Sequence, residues 1–311
     1  MKRIRRLEDV SDADRGACAA IGNFDGVHLG HRRVLEAARA ACDAPLAVLT
    51  FEPHPREVFR PDDPPFRLTD PEARAHLLEK MGVEVLFELD FGLIRPMPHD
   101  VFSADVLAAG LGLSHVTVGA DFRYGRGRSG TLETLRAEGA AHGFGVTVAD
   151  LLAVDPAGAR VSSTAIRAAL SEGRPQDAAA MLGHWHRIEG PVLHGDKRGR
   201  DLGYPTANLS LGRLHRPRFG VYAVLVDVLD GPHAGTRHGV ASIGVRPQFG
   251  ENEANLEVHL FDFAGDLYGA VLSVALVAFL RPEARFDSVE ALIARMNEDC
   301  AAARAVLTSQ G

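Results

Sequence analysis

The chain has few cysteines and no long apolar run, and each shortage excludes a class of protein. Its 311 residues include 3 cysteines, Cys18, Cys42 and Cys300, which are widely spaced and odd in number, so a disulfide framework is not expected. No apolar run reaches the length of about 18 residues that a membrane-spanning helix needs. The N-terminal residues begin basic but soon become acidic, without the apolar core of a secretion signal. These absences predict a protein of the reducing cytoplasm.

The chain also lacks an excess of positive charge. Lys and Arg number 34 against 41 Asp and Glu, a formal net charge of -7, which argues against nucleic acid as the main partner. Hydrophobic residues make up 46% and charged residues 24%, a balance that excludes a mainly disordered chain. A length of 311 residues exceeds the usual single domain of roughly 100 to 200 residues and predicts two domains.

The pattern of apolar residues changes between the two halves of the chain. Residues 17–22 and 46–51 have the continuous apolar character of buried strands, and a helical pattern over 31–42 separates them. Such alternation predicts a parallel sheet covered by helices. The second half instead has successive strands separated by turns, which predicts an antiparallel sheet or small barrel closed by a C-terminal helix. We therefore predict an α/β domain over 1–183 and an all-β domain over 184–311.

The segment IGNFDGVHLGH, residues 21–31, holds the most concentrated chemistry of the first half. A strand ends at Gly22, and a helix begins near His31 after a loop that contains His28. Two imidazoles beside the first N–H groups of a helix could donate hydrogen bonds to phosphate and stabilise charge during phosphoryl or nucleotidyl transfer. An isolated HxGH pattern also fits two surface histidines in a polar loop, or part of a metal site.

A second basic element is VSSTAIR, residues 161–167. Ser162 or Ser163 could cap the helix that follows, and Arg167 shares a helix face with Ser163 and Thr164. Two hydroxyls and a guanidinium near a helix N-terminus suit phosphate. Serine and threonine also cap helices routinely, so this pattern alone favours a purely structural role.

The segment GRGRSG satisfies the GxGxxG pattern of dinucleotide-binding proteins, with Asp150 about 20 residues further on. In that fingerprint the first glycine follows the strand directly. Here five residues separate the predicted strand from Gly125. We therefore interpret the segment as a basic loop over a ligand and not as a site for a nicotinamide cofactor.

Four segments in order, residues 21–31, 50–59, 119–130 and 161–167, resemble the FMN adenylyltransferase module of bacterial bifunctional riboflavin kinase/FAD synthetases. The resemblance implies a Rossmann-like nucleotidyltransferase fold, in which the phosphate of FMN attacks the α-phosphorus of ATP without a protein nucleophile. It implies that ATP is bound by Gly22, Phe24, His28, His31, Ser163, Thr164 and Arg167. Among these residues, the resemblance assigns catalytic roles to His28, His31 and Arg167. It places the flavin beside Phe51, His54, Pro55, Asp121, Phe122 and Arg123.

In the second half, a glycine-rich basic loop leads into the strand-like PTAN. Strand alternation places Thr206 and Asn208 on one side, where their oxygens would suit Mg²⁺ completed by nucleotide phosphates and water. In residues 255–261, the same alternation separates Glu257 from the apolar face, so Glu257 could act as a general base if it lies in a cleft. A turn followed by solvated strand residues would produce the same two patterns.

These segments resemble the riboflavin kinase module of the same family, which implies a small antiparallel Greek-key β-barrel. By that resemblance, Thr206 and Asn208 coordinate Mg²⁺ with ATP, and Glu257 accepts the proton of the ribityl 5′-hydroxyl. The residues implied in ATP binding are Gly195, Lys197, Gly203, Pro205 and Thr206. One departure is Gln248, where family members usually have Thr, and its effect on the flavin-side loop is left open.

The sequence thus predicts one enzyme that phosphorylates riboflavin to FMN and adenylylates FMN to FAD, with Mg²⁺ and one ATP in each step. Its expected partners are riboflavin, FMN and ATP, with no nucleic acid or membrane. Two alternatives are a non-catalytic flavin-binding regulator and a nucleotidyltransferase with another phosphate acceptor. The sequence leaves the oligomeric state and any transfer of FMN between sites open.

Overall fold

The chain forms two compact units, each with its own core. The computed structural model describes residues 1–149, 161–194, 203–245 and 254–309. The first unit comprises residues 1–63 and 74–160, and the second comprises residues 64–73 and 161–311. In the described part of the chain, no helix is both long and apolar enough to cross a membrane. The boundary between the two catalytic domains, predicted between residues 183 and 184, stays a prediction.

The first unit is built on a six-stranded sheet in the order β1-β4-β3-β2-β5-β6. The strands are β1 (Lys2–Ile4), β2 (Cys18–Ile21), β3 (Leu46–Glu52), β4 (Val85–Asp90), β5 (His115–Gly119) and β6 (Gly145–Ala149). Each neighbouring pair is parallel, which confirms the predicted α/β class. All four residues of β2 are buried, as expected of a central strand whose two faces are both covered.

Helices cover both faces of this sheet. They are α1 (Leu29–Ala41), α2 (Pro55–Phe59), α3 (Pro71–Lys80), α4 (Phe91–Ile94), α5 (His99–Val101), which continues as a π-helix (Phe102–Gly110), and α6 (Leu132–His142). Successive strand residues point to opposite faces, so Ala20 and Val48 pack with α1 residues while Ile21 and Leu49 pack in a second cluster that includes Phe102 of the π-helix. The sheet therefore separates two apolar clusters.

The strand order fixes where a ligand can bind. From β2 the sheet continues through β3 on one side and through β5 on the other. In open α/β sheets, such a switch point leaves a crevice at the carboxyl ends of the strands. The loops that follow β2 and β5 contain residues 22–28 and 120–131, so two of the sequence motifs lie at this edge.

Cys18 and Cys42 lie side by side, with Cα atoms 6.4 Å apart, a separation within the range that disulfides span. The sequence predicted no disulfide framework, and this one pair links only the neighbouring elements β2 and α1. The β2–α1 unit supplies the physical reason for this proximity, because Cys18 begins β2 and Cys42 directly follows α1, which runs back along the strand. Cys300 is a free cysteine.

The described residues of the second unit form two helices, a six-stranded sheet and a C-terminal helix. The helices are α7 (Ser163–Ser171), α8 (Pro175–Leu182) and α9 (Val289–Thr308). The strands are β7 (Arg187–Pro191), β8 (Ala207–Ser210), β9 (Gly220–Val228), β10 (Gly235–Val245), β11 (Ala254–Leu260) and β12 (Val271–Arg281). Their order is β7-β12-β9-β10-β11-β8, and each neighbouring pair is antiparallel.

The edges of this second sheet approach each other. Leu193, just beyond β7, forms a bridge with Asn208 of β8, and the Leu193 N–H donates to the Asn208 carbonyl at 2.8 Å. This contact joins the first and last strands of the order and gives a nearly closed barrel, as predicted. Ala303 and Leu307 of α9 pack against Ala223 on its outer surface.

Candidate functional site

The loop after β2 has an unusual backbone. Phe24, Gly26 and Val27 all have positive φ, at 51°, 82° and 41°. Positive φ is rare for a β-branched residue such as Val27, because its Cβ crowds the backbone. Gly22 also lies close to the Phe24 ring, and a Cβ there would be 3.3 Å from it. The loop conformation is therefore strained, as is common where a backbone must approach a ligand.

His28 is the N-cap residue of α1. The backbone N–H of His31 donates to Nδ1 of His28 at 3.3 Å. This bond needs the lone pair on Nδ1, so the ring proton of His28 lies on Nε2. A Cβ at Gly30 would lie 3.1 Å from the His28 ring, which explains why a glycine separates the two histidines. The HxGH pattern thus encodes a cap that presents one imidazole N–H.

His31 stacks on His28, with ring centroids 3.7 Å apart and planes 12° apart. Burial and the neighbouring His28 hold the pKa of His31 well below its ordinary value, so His31 is neutral. The Phe24 ring is 1% exposed and lies 5.0 Å from the His31 ring. Phe24, predicted to bind ATP, is therefore a core residue that supports His31. The two imidazoles lie at the positive end of the α1 dipole, where an anion is favoured.

The predicted flavin-side residues at the end of β3 include a second histidine cap. His54 is the N-cap of α2, and its Nδ1 accepts the backbone N–H of Arg56 at 3.1 Å. Pro55 is the first residue of α2, a position that needs no N–H donor. Phe51 is half-buried and contacts Phe91 edge to face, with centroids 5.8 Å apart. Phe51, His54 and Pro55 thus lie on the consecutive β3–α2 segment.

The loop after β5 contains the remaining residues that were predicted to lie beside the flavin. Asp121 and Arg123 are exposed, and Phe122 is half-buried. The Phe122 ring stacks on Tyr124 at 5.6 Å, and the Tyr124 hydroxyl donates to Glu138 of α6 at 2.5 Å. Sequence reasoning missed this support, because Glu138 lies in an ordinary amphipathic helix and shares no motif with the loop.

The GRGRSG segment does not form the strand-to-helix turn of a dinucleotide site. Arg126–Arg128 is a 3₁₀ turn, and Tyr124 bridges to Gly130, closing the loop on itself. Helix α6 begins only afterwards, capped by Thr131. This geometry agrees with the interpretation of a basic loop.

The second predicted phosphate cradle lies on α7, within the second unit. Ser162 caps the helix by accepting the Ala165 N–H at 3.2 Å. Ser163 begins the helix, and Thr164 is exposed. Arg167 donates from Nε to the Phe66 carbonyl at 2.6 Å. The guanidinium of Arg167 is thus held at a fixed place, and the grouping of this cradle with His28 around one ATP stays a prediction.

The candidate kinase residues meet across two strands. Glu257 of β11 is directly opposite Asn208 of β8 in the antiparallel register, so both side chains lie on the same face. Leu256 and Val258 are fully buried on the other face, as the alternation predicts. Asn255 is 5% exposed and donates from Nδ2 to Oε1 of Glu257 at 3.3 Å. A carboxylate, an amide and a supporting donor are therefore clustered.

The segment before β8 contains the other predicted kinase residues. Thr206 immediately precedes the strand, and the Pro205 carbonyl accepts from Nδ1 of His259 at 3.0 Å. Gly203 has φ of 85°, which favours glycine. Gly195, Lys197 and Gln248 lie outside the described residues.

The described residues contain no cluster of three or more His, Cys, Asp or Glu side chains suited to a metal ion. The oxygens of Thr206 and Asn208 are hard ligands, as Mg²⁺ prefers, and Mg²⁺ usually keeps waters and substrate phosphates as its other ligands. The donor set thus fits a nucleotide-bound Mg²⁺ better than a protein-enclosed metal.

Comparison with known proteins agrees with the presence of two different sites, one in each half of the chain. A family model described as FAD synthetase matches residues 10–165, and one described as riboflavin kinase matches residues 182–307. Proteins named bifunctional riboflavin kinase/FMN adenylyltransferase are similar over nearly the whole chain. The one from Pseudomonas fluorescens is 43% identical over 98% of each chain, and the one from Escherichia coli K12 is 39% identical over 98% of this chain and 97% of its own.

A solved structure gives the same result for the fold. A crystal structure described as a macrolide-efflux protein from Streptococcus pneumoniae superposes with a TM-score of 0.81 at 30% identity, covering 96% of both chains. The description of that structure differs from the names of the sequence relatives. Both family models, in contrast, describe enzymes that make flavin nucleotides. The chain belongs to the bifunctional riboflavin kinase/FMN adenylyltransferase family.

Proposed function

We propose that this chain makes FMN from riboflavin and ATP in its C-terminal half, and FAD from FMN and ATP in its N-terminal half. The tandem match of the two family models is the observation that supports both activities together. Riboflavin, FMN and two ATP molecules are then the substrates. A cytoplasmic location is part of the proposal, since each step consumes ATP.

In the adenylylation step, an oxygen of the FMN phosphate attacks the α-phosphorus of ATP, and pyrophosphate leaves. The attack joins two anions, so the protein has to position them and stabilise negative charge as it develops. His28 supplies its Nε2–H, and His31 stacks against it at 3.7 Å beside the N-terminus of α1. Arg167, with its Nε bonded to a backbone carbonyl, supplies a permanent positive charge for phosphate.

In the kinase step, the ribityl 5′-hydroxyl attacks the γ-phosphorus of ATP, and ADP leaves. Glu257 accepts the hydroxyl proton as the new O–P bond forms. Its position opposite Asn208 puts the base beside the amide that is proposed to bind the metal. The 3.3 Å hydrogen bond from Asn255 orients the Glu257 carboxylate toward the shared face.

Thr206 and Asn208 are the residues proposed to hold Mg²⁺ in the kinase half. Bound Mg²⁺ would neutralise phosphate charge and orient the γ-phosphoryl group. Asn208 is 7% exposed, and the bridge to Leu193 fixes its backbone.

The test is to incubate the purified protein with riboflavin, Mg²⁺ and ATP and to separate the products by chromatography. FMN should form first and FAD afterwards, and supplied FMN should give FAD directly. Absence of both products would refute the proposal. Binding of flavin without consumption of ATP would instead favour a flavin-binding regulator.

Substitutions should separate the two activities. Glu257→Gln is expected to abolish FMN formation but to spare FAD formation from supplied FMN, because it removes only the kinase base. Glu298→Gln is the matched control, since Glu298 is exposed on α9 and pairs with Arg295. Loss of both activities in folded Glu257→Gln protein would contradict independent sites.

A further inference from the structure

One buried guanidinium connects several segments at the carboxyl edge of the parallel sheet. Arg74, in α3, is 2% exposed. Its Nη2 donates to Glu52 at 2.7 Å and to Glu88 at 2.8 Å, and its Nη1 donates to the backbone carbonyl of Asn23 at 3.4 Å. Charged side chains are seldom buried so deeply unless they are paired, so this arrangement calls for a specific role.

The contact with Asn23 reaches the strained loop described above. Asn23 follows Gly22 and precedes Phe24, the first of the three residues with positive φ. Its carbonyl also accepts a hydrogen bond from the buried Thr50 hydroxyl at 3.3 Å. Two donors on one carbonyl fix the point at which the loop leaves β2. Because the loop ends at the His28 cap, its entry point determines where the imidazoles lie.

The contact with Glu52 reaches the flavin-side segment. Glu52 is the last residue of β3, two positions before His54. Its side chain is 23% exposed, so the ion pair with Arg74 is shielded from much of the solvent. The same guanidinium is therefore bonded to the start of both loops that carry predicted ligand residues.

Glu88 holds Arg74 from the sheet side. Burial alone would raise the pKa of Glu88, but hydrogen bonds from Arg3 and Arg74 outweigh burial and lower that pKa below its ordinary value. The carboxylate therefore remains ionised at neutral pH. Since Glu88 pairs with Thr50 in the β3–β4 register, the anchor belongs to the rigid sheet and not to a loop.

We propose that Arg74 is a positioning residue for adenylyl transfer, which sets the phosphate-side loop through Asn23 and the flavin-side segment through Glu52. The proposal rests on the FAD-forming activity proposed above. Arg74 acts through these segments and has no assigned contact with substrate. A planar guanidinium with several fixed donors suits this role, whereas a lysine ammonium does not match the same three directions.

Steady-state kinetics of FAD formation can separate the effect of Arg74 through Asn23 from its effect through Glu52. Thr50→Val removes a donor to the Asn23 carbonyl and should raise KM for ATP about 3- to 10-fold, with KM for FMN unchanged. Glu52→Gln should raise KM for FMN by a similar factor and leave KM for ATP unchanged. Arg74→Lys should raise both KM values and lower kcat/KM about 100-fold, as expected when reacting groups are misplaced.

Arg3→Lys is the matched control, because Arg3 donates to the same Glu88 carboxylate at 2.8 Å from the edge strand β1. It should change kcat/KM for FAD formation by less than about threefold, and riboflavin phosphorylation in all four variants should stay near wild type. Equal effects of Arg74→Lys and Arg3→Lys, or equal changes of both KM values in Thr50→Val and Glu52→Gln, would overturn the inference. A wild-type protein that forms no FAD would refute the proposed function itself, a distinguishable result.

Discussion

The two roles of His28, capping α1 and donating to phosphate, can be separated by substitution. The Nδ1 atom accepts the backbone N–H of His31 at 3.3 Å, and Nε2 carries the proton offered to phosphate. In asparagine, Oδ1 occupies the place of Nδ1 and accepts the same hydrogen bond, but no atom replaces Nε2. His28→Asn should therefore retain the cap and lose the donor. His28→Ala should lose both.

The expected magnitudes differ enough to be measured. Removal of one donor to the developing charge costs about 100-fold or more in kcat, so both variants should form FAD from FMN about 100-fold more slowly. Loss of an N-cap costs about 1 kcal/mol, which lowers Tm by about 2–4 °C in a domain of this size. Only His28→Ala should show this shift by calorimetry.

Riboflavin phosphorylation serves as the internal control for both variants and should stay near wild type, since its proposed residues lie in the other half. His28→Asn with near wild-type FAD formation would refute the assignment of Nε2 as the donor. Equal loss of Tm in the two variants would refute the capping role.

Three further predictions concern pH, the kinase base and the loop after β5. Burial, reinforced by two neighbouring histidines, lowers the pKa of His186 to about 3. Below about pH 6.5 the unfolded chain binds a proton at His186, whereas the folded chain does not. The unfolding free energy should therefore fall by about 2 kcal/mol between pH 6.5 and pH 5. In denaturant titrations, His186→Gln should remove that part of the pH dependence. Asn255→Ala should lower kcat for riboflavin phosphorylation about 3- to 10-fold without changing KM for ATP, and an unchanged kcat would contradict the support of Glu257. Gly125→Ala should raise KM for FMN in FAD formation more than Gly127→Ala, because both glycines have positive φ but only at Gly125 would a Cβ lie 2.7 Å from the α5 backbone.

The sequence predicted the features that depend on local periodicity. Continuous apolar strands such as β2 predicted a parallel sheet, and the alternation around Glu257 predicted both its exposed face and the buried Leu256. The residues that support the sites could not be found in the same way. Arg74 has the pattern of a surface residue on a polar helix, and only the tertiary fold brings it within 3 Å of two carboxylates. The Cys18–Cys42 pair likewise requires the return of α1 along β2.

One local device recurs at both loops of the proposed FAD-forming site. His28 and His54 each cap a helix through Nδ1, which accepts a backbone N–H and leaves Nε2 as the ring atom that can donate. Desolvation and the neighbouring His28 hold the pKa of the half-buried His31 well below its ordinary value. At the proposed FAD-forming site, the nucleotide anion would be attracted by the α1 dipole and by the proposed Arg167, while the imidazoles would supply directed hydrogen bonds.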